Sequence, residues 1–422
     1  MTAPGTHAAT AVDAGGVPMW AHTVEVGDDA AAHVTADGEM AWLTATHEIA
    51  GWGTAVRIPV TDGPERFASA AAELERHIAA PDGDSGSTAA TRPVAFCSFT
   101  FDERRRASVM VVPRLTVRRR AGRAWVTAVS DRPVTPQDLA LPAPAPTAGT
   151  GRVRYAGTTA TEIAWIDAVD RAVRRIAAGE VEKVVLARDR MVYSHAPFVA
   201  GRLLRHLRAT FPSCFTFHVD GLVGASPELL IRREGARVSS LVLAGTAPRG
   251  HDARHDAQVG DALLRSAKDL AEHVPAVASV RRALAPLATD LQIDAQPSLL
   301  RLANVQHLAS RVSGTLDEPR DVLELAGRLH PTAAVGGTPT AAALAMIGEL
   351  ETIDRDRYAG PVGWVDAHGD GELAIALRCA QLSGTRARLF AGAGIVAGSL
   401  PERELEETRL KLRAMQSAFA QP

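Results

Sequence analysis

The chain has 422 residues and a mass of 44.5 kDa, with 46% hydrophobic and 22% charged residues, a makeup that supplies ample core material and excludes a fibrous or low-complexity chain. Its 46 basic and 48 acidic residues leave a net charge of -2 with both signs interspersed. That balance gives no electrostatic footprint for nucleic acid or a membrane surface and favours a small-molecule partner.

In chain order, residues 1–16 are small and polar and read as a disordered tail. They lack the basic and apolar regions of a signal peptide, and no run reaches the ~18 apolar residues of a membrane span. Cys97, Cys214 and Cys379 are far apart without a CxxC pair, which predicts reduced, buried thiols and a cytoplasmic protein. Residues 17–138 form a strand-rich N-terminal part. Runs at 54–60, 94–101 and 107–112 alternate with a helix over 67–79, and 81–93 is a loop. Trp52, between Gly51 and Gly53, has no role that the sequence explains. Residues 139–151, rich in Pro, Ala and Gly, are a connector. The remainder, 152–422, is the candidate catalytic region.

That region opens with Ile163, Ile166, Val169, Val173 and Ile176 at helical spacing, closed by Gly179. A strand around Val181–Ala187 follows. Runs at 215–219, 222–226, 229–233 and 237–243 read as an antiparallel meander. A long helix over 257–284, kinked at Pro275, precedes a strand at 305–312 and a helix at 340–349. A hairpin pairs 362–365 with 373–382 across His-Gly-Asp-Gly. Ser399-Leu400-Pro401-Glu402 is a capping box that starts the last helix. The fold class is α+β: large antiparallel sheets in a two-layer-per-lobe sandwich, with helices packed outside.

Lys183 stands inside an apolar strand, on the face of Val181, Val185 and Ala187, where desolvation disfavours the charged ammonium and makes it a candidate base. A lysine snorkelling from a strand end is the ordinary alternative. Glu404, Glu407 and Lys411 share one stripe of the last helix, and Glu272 borders the apolar face of the long helix. Convergence of Glu272 and Glu407 would make an oxygen-rich half-site for a hard cation such as Mg²⁺; otherwise these are solvated charges. The run 390–395, Phe-Ala-Gly-Ala-Gly-Ile, leads from a strand into a glycine-rich loop whose free N–H groups would hold a carboxylate. Its spacing does not match a dinucleotide fingerprint, and no Walker A, HExxH or G-x-S-x-G motif occurs. Glu228 heads an apolar strand after Pro227 and is a candidate acid. Gly245 and Thr246 offer close backbone approach and a hydroxyl. His307 is either a satisfied core residue or a ligand contact, and Arg378, between Leu377 and Cys379 in a strand, calls for an anion.

Taken in order, Lys183-Val-Val-Leu-Ala-Arg188, Gly224-Ala-Ser-Pro-Glu228, Leu243-Ala-Gly-Thr246, Lys268-Asp-Leu-Ala-Glu-His273, Leu329-His-Pro-Thr332, Tyr358-Ala-Gly-Pro-Val-Gly-Trp364, Ala376-Leu-Arg378, Ala391-Gly-Ala-Gly394 and Glu404 to Lys411 resemble the chorismate-utilising enzymes. That family includes isochorismate, salicylate and anthranilate synthases. The resemblance implies an isomerase of the isochorismate synthase type. Mg²⁺ is held by Glu272 and Glu407, with Glu404 nearby. Lys183 activates water for attack at C2, and Glu228 protonates the departing C4 hydroxyl. Gly245, Thr246, His307, Arg378, Gly392, Ala393, Gly394 and Lys411 contact the substrate, Arg378 and the 392–394 backbone at its pyruvyl carboxylate. Members that add ammonia carry glutamine where Lys183 stands, so the lysine implies water as nucleophile. Salicylate synthase, an ammonia-using anthranilate or aminodeoxyisochorismate synthase, and a chorismate-binding scaffold without turnover are the alternatives. A monomer is the preferred state, and the product's destination, menaquinone or a siderophore, stays open.

Overall fold

Short runs rich in Val, Leu, Ile and Ala assemble into two large sheets of 12 and 10 strands, whose strand pairs are antiparallel. The structure is a computed structural model that describes residues 19–28, 31, 37–78, 91–143 and 152–420. The expected tail, nearly all of the 81–93 loop and most of the connector lie outside the described residues.

The two sheets share one core. Trp42, Leu186 and Phe217 of the 12-stranded sheet and Phe96, Leu230 and Leu373 of the 10-stranded sheet belong to a single buried cluster, joined by Phe67, Val169, Leu323 and Met346 from helices. Side chains of this size contribute about 1.5–3 kcal/mol each on burial. A second cluster packs Leu203, Leu204 and Leu207 of helix Ala200–Thr210 and Met415 and Phe419 of helix Pro401–Phe419 against the 12-stranded sheet. Strands from both halves of the chain share each sheet: Trp42 pairs with Phe217, and Cys97 pairs with Gly363. Trp52 covers a third, smaller cluster around Leu115, Val117 and Val126. A side chain at Gly51 would strike Pro113 and Phe96, and Gly53 takes φ +62°, so both glycines flanking Trp52 are set by geometry.

Four local expectations are corrected. The four runs at 215–243 form not one meander but two hairpins, Phe215–Val219 with Leu222–Ser226 in the 12-stranded sheet and Leu229–Glu234 with Arg237–Pro248 in the 10-stranded one. The run 373–382 is likewise cut into Gly371–Ile375 and Cys379–Ser383, one in each sheet, and Arg378 lies between them. The long helix breaks at Ser266, not at Pro275. Ser266 adopts ψ 113° and its hydroxyl accepts the Asp269 N–H, ending Ala253–Arg265 and capping Ala267–Leu284, which contains Pro275. Ser399 does not cap the last helix. Its hydroxyl accepts the Val396 N–H at 3.2 Å, and Leu400 stands at the N-cap without a side-chain bond.

Candidate active site

Two chain crossings between the sheets create the site. At the first, Ser226 donates to the Ile375 carbonyl at 2.6 Å and accepts the Glu228 N–H at 3.3 Å, and the Ile375 N–H donates to the Glu228 carbonyl at 3.1 Å. At the second, Arg378 turns the chain with φ +47°, a backbone state that non-glycine residues seldom adopt, and its carbonyl accepts the Ala225 N–H at 3.1 Å. The crossings therefore brace each other and set Glu228 and Arg378 at one cleft. Its wall also includes Gly245, Thr246, Glu272, His307, Gly392, Gly394 and Lys411.

The Lys183–Ser194 strand builds one side. Its register pairs Val185 with Gly394 and Ala187 with Gly392, so the face that carries Lys183 is lined by small groups. Lys183 is fully buried; its Nζ donates to the Glu272 carbonyl at 3.3 Å and lies 3.4 Å from the Glu272 carboxylate. It sits behind Glu272, which itself lines the cleft. Gly394 makes room for both: a Cβ there would overlap the Glu272 carboxylate and stand 3.1 Å from Lys183 Cε. Residues 390–395 are not the expected loop, because Arg386–Ile395 is a continuous strand. The Ala393 side chain, on the opposite face, belongs to the apolar core, which leaves only its backbone to meet a substrate.

A bulge supplies another wall. Between Leu243 and Thr246 the Arg237–Pro248 strand holds Ala244 and Gly245 against Leu308 alone, and Gly245 takes φ +84°. Thr246 then pairs with His307. Arg378 Nη2 lies 3.1 Å from His307 Nε2, and Thr246 Oγ1 lies 3.0 Å from Nδ1. An arginine only donates, so Nε2 accepts and the proton sits on Nδ1. Burial, then the cations Arg378 and Lys411, hold the ring's pKa well below its usual value, so His307 is neutral, and it lines the cleft. Arg378 Nε is buried without a partner among the described residues, an unmet donor beside the cleft.

Glu228 is 4% exposed, and burial pushes its carboxyl up to about 8 against the pull of a Leu243 backbone hydrogen bond and of Lys183, Arg378 and Lys411. It holds a proton at neutral pH. The remaining carboxylates meet lysines. Lys268 Nζ is 2.6 Å from Glu404, and Lys411 Nζ is 2.6 Å from Glu407 and 2.9 Å from the Gly392 carbonyl. Burial, then Glu407, raises the pKa of Glu404. Burial opposes the Lys268 charge, but the Glu404 hydrogen bond and the charges of Glu404, Glu407 and Glu272 raise its pKa overall. All three predicted metal ligands therefore act on one ammonium. Among the described residues, however, no three His, Cys, Asp or Glu side chains converge as a metal set. Four carboxyls (Glu228, Glu272, Glu404, Glu407) face four basic groups (Lys183, Lys268, Arg378, Lys411).

Two residues without a predicted role complete the wall. Tyr358, 4% exposed, stacks on Phe390 at 5.1 Å. Arg355 donates to the carbonyls of Val185 at 2.7 Å and Val335 at 2.8 Å and to Glu351 at 2.9 Å, clamping the Lys183 strand just past its short pairing with Gly337–Thr338. Glu351 also accepts the Ala187 N–H at 2.7 Å. The three cysteines are buried and free, and among the described residues no helix is long and apolar enough to cross a membrane.

A family model described as chorismate binding enzyme matches residues 36–420. Isochorismate synthase DhbC of Bacillus subtilis is 43% identical over 263 residues, 60% of this chain and 66% of that protein. MenF of Mycobacterium tuberculosis strain H37Rv is 40% identical over 345 residues, 78% of this chain and 87% of that protein. The solved structure of MenF, the menaquinone-specific isochorismate synthase from Escherichia coli, superposes with a TM-score of 0.80 at 26% identity, covering 98% of this chain and 96% of that one.

Proposed function

Because the chain belongs to the chorismate binding enzyme family, we propose that it is an isomerase that converts chorismate to isochorismate by adding water at C2 as the hydroxyl leaves C4. The observation that carries this reading is the amine at position 183, fully buried and 3.4 Å from Glu272, where family members that add ammonia have glutamine. Ammonia brings its own basicity; water needs a base.

In this reading Lys183 takes the proton of the attacking water. Glu228, protonated at neutral pH because burial raises its pKa to about 8, gives its proton to the departing hydroxyl. The two groups are thereby matched to opposite tasks. Arg378, with its unmet Nε, takes a substrate carboxylate, and the neutral His307 fixes the guanidinium from behind through its 3.1 Å contact. Thr246, Gly245, the Gly392 and Gly394 backbone and Lys411 orient the ring.

Glu272 and Glu407, with Glu404 nearby, would hold Mg²⁺, with water and the substrate carboxylate completing its shell. Their donors are all oxygen, as a hard cation requires, and Gly394 leaves space beside Glu272 that a side chain would fill. When bound, the cation would offset the charge of the substrate's ring carboxylate.

Purified protein incubated with chorismate and Mg²⁺, without ammonium, tests the proposal. Isochorismate is the expected product. Unchanged chorismate removes the reading, salicylate with pyruvate moves it to the lyase branch, and a product seen only with ammonium moves it to the aminating branch.

A further inference from the structure

We propose that the Lys268 ammonium is an internal counter-cation of the carboxylate cluster, held where a divalent cation would bind and displaced when that cation arrives. This rests on the Mg²⁺ reading above and adds a residue that sets the metal affinity. Lys268 and Glu272 lie one turn apart on helix Ala267–Leu284, while Glu404 and Glu407 lie three residues apart on helix Pro401–Phe419. The Lys268 Nζ stands 2.6 Å from Glu404, within the fields of Glu407 and Glu272. Glu404 is 1% exposed; a buried carboxylate beside a second one needs a positive partner.

Of the three lysines at the cluster, only Lys268 is built to leave. Lys183 is fully buried and also bonded to the Glu272 carbonyl. Lys411 also donates to the Gly392 carbonyl. Lys268 has Glu404 as its one hydrogen-bond partner among the described residues, and a third of its side chain is exposed. It stands in the first turn of its helix, where its four-carbon stem can swing the charge into water at little cost. The cation would then take the place of the one ammonium on which Glu404, Glu407 and Glu272 all act.

Titrating MgCl₂ into the full chain by calorimetry, with no substrate, compares wild type with Lys268→Met and Lys268→Arg. The Met variant is expected to bind Mg²⁺ about tenfold more tightly, as when one competing ion pair is removed, and the Arg variant no more tightly than wild type. In thermal unfolding without Mg²⁺ the Met variant melts below wild type, since Glu404 loses its partner, and added Mg²⁺ raises its midpoint more than that of wild type. Lys268→Gln, which keeps a donor for Glu404, gives the same order of affinities if the Met variant does not fold. Equal Mg²⁺ affinity in wild type and the charge-free variants overturns the role of Lys268 and leaves the metal reading standing. No Mg²⁺ binding by any of the proteins overturns both.

Discussion

Glu228→Gln separates burial of the carboxyl from its chemistry. The wild-type group is raised from 4.5 to about 8, chiefly by burial. Between those values the native carboxyl keeps its proton while the unfolded chain has lost it. A raised folded pKa means that its stabilising contribution is complete below the unfolded value and is lost as pH climbs to the folded one. The slope is about 1.4 kcal/mol per pH unit and the whole loss about 5 kcal/mol. Glutamine has the same shape and no titration. The difference in unfolding free energy between variant and wild type should therefore shift in favour of the variant by about 1.4 kcal/mol per unit from pH 5 to 8, then level off. Urea unfolding of both proteins at pH 5, 6, 7, 8 and 9, with equal m-values, measures it. A difference that stays flat across that range refutes the claim that this carboxyl is buried and protonated at neutral pH. Turnover of the variant should be at least ~100-fold down, the usual weight of a general acid, and the alkaline limb of the wild-type profile, near pH 8, should disappear with it.

Lys183→Ala should abolish water addition while the equilibrium affinity for chorismate, read by calorimetry, changes by less than about threefold; a normal rate excludes Lys183 as the base. Gly394→Ala places a methyl group on the Glu272 carboxylate and should cut kcat/KM by ~100-fold or more with an unchanged circular dichroism spectrum; full activity would mean that Glu272 is not confined there. Arg378→Lys loses the fork that meets both His307 and the cleft, at about 2 kcal/mol or ~30-fold in KM, and a steady-state assay with unaltered KM removes it from carboxylate binding.

The site was more legible than the connections that build it. Lys183 stood out because a charged residue at a core-facing strand position contradicts its neighbours, and the sheet register places it there. Glu228 was visible for the same reason. Arg378 was identified as needing an anion but misplaced in a strand, since nothing local announces that residues 376–378 leave one sheet for the other; the left-handed φ of Arg378 is imposed by long-range pairing. The 390–395 glycines mimic a loop because glycine weakens strand propensity, whereas here their missing side chains are what admit Glu272 and Lys183. Helix Ala200–Thr210 carries a readable signal, Leu203, Leu204 and Leu207 at helical spacing, but it is short and set among strands. Pro275 is the more conspicuous breaker in the sequence, but a serine three residues before Asp269 is a sound capping signal, and the break falls at Ser266. Arg355 and Glu351 lacked any local cue, because their partners, Val185, Ala187 and Val335, come from other parts of the chain.

The central claim is that solvent water, activated beside Glu272, becomes the C2 hydroxyl of the product. Turnover of chorismate in ¹⁸O-labelled water with Mg²⁺, followed by mass spectrometry of the isochorismate, measures this directly. One heavy oxygen at C2 is the predicted result. Isochorismate that carries only the original oxygens would mean that the hydroxyl migrates within the substrate, and the water-activating role assigned to Lys183 would be contradicted.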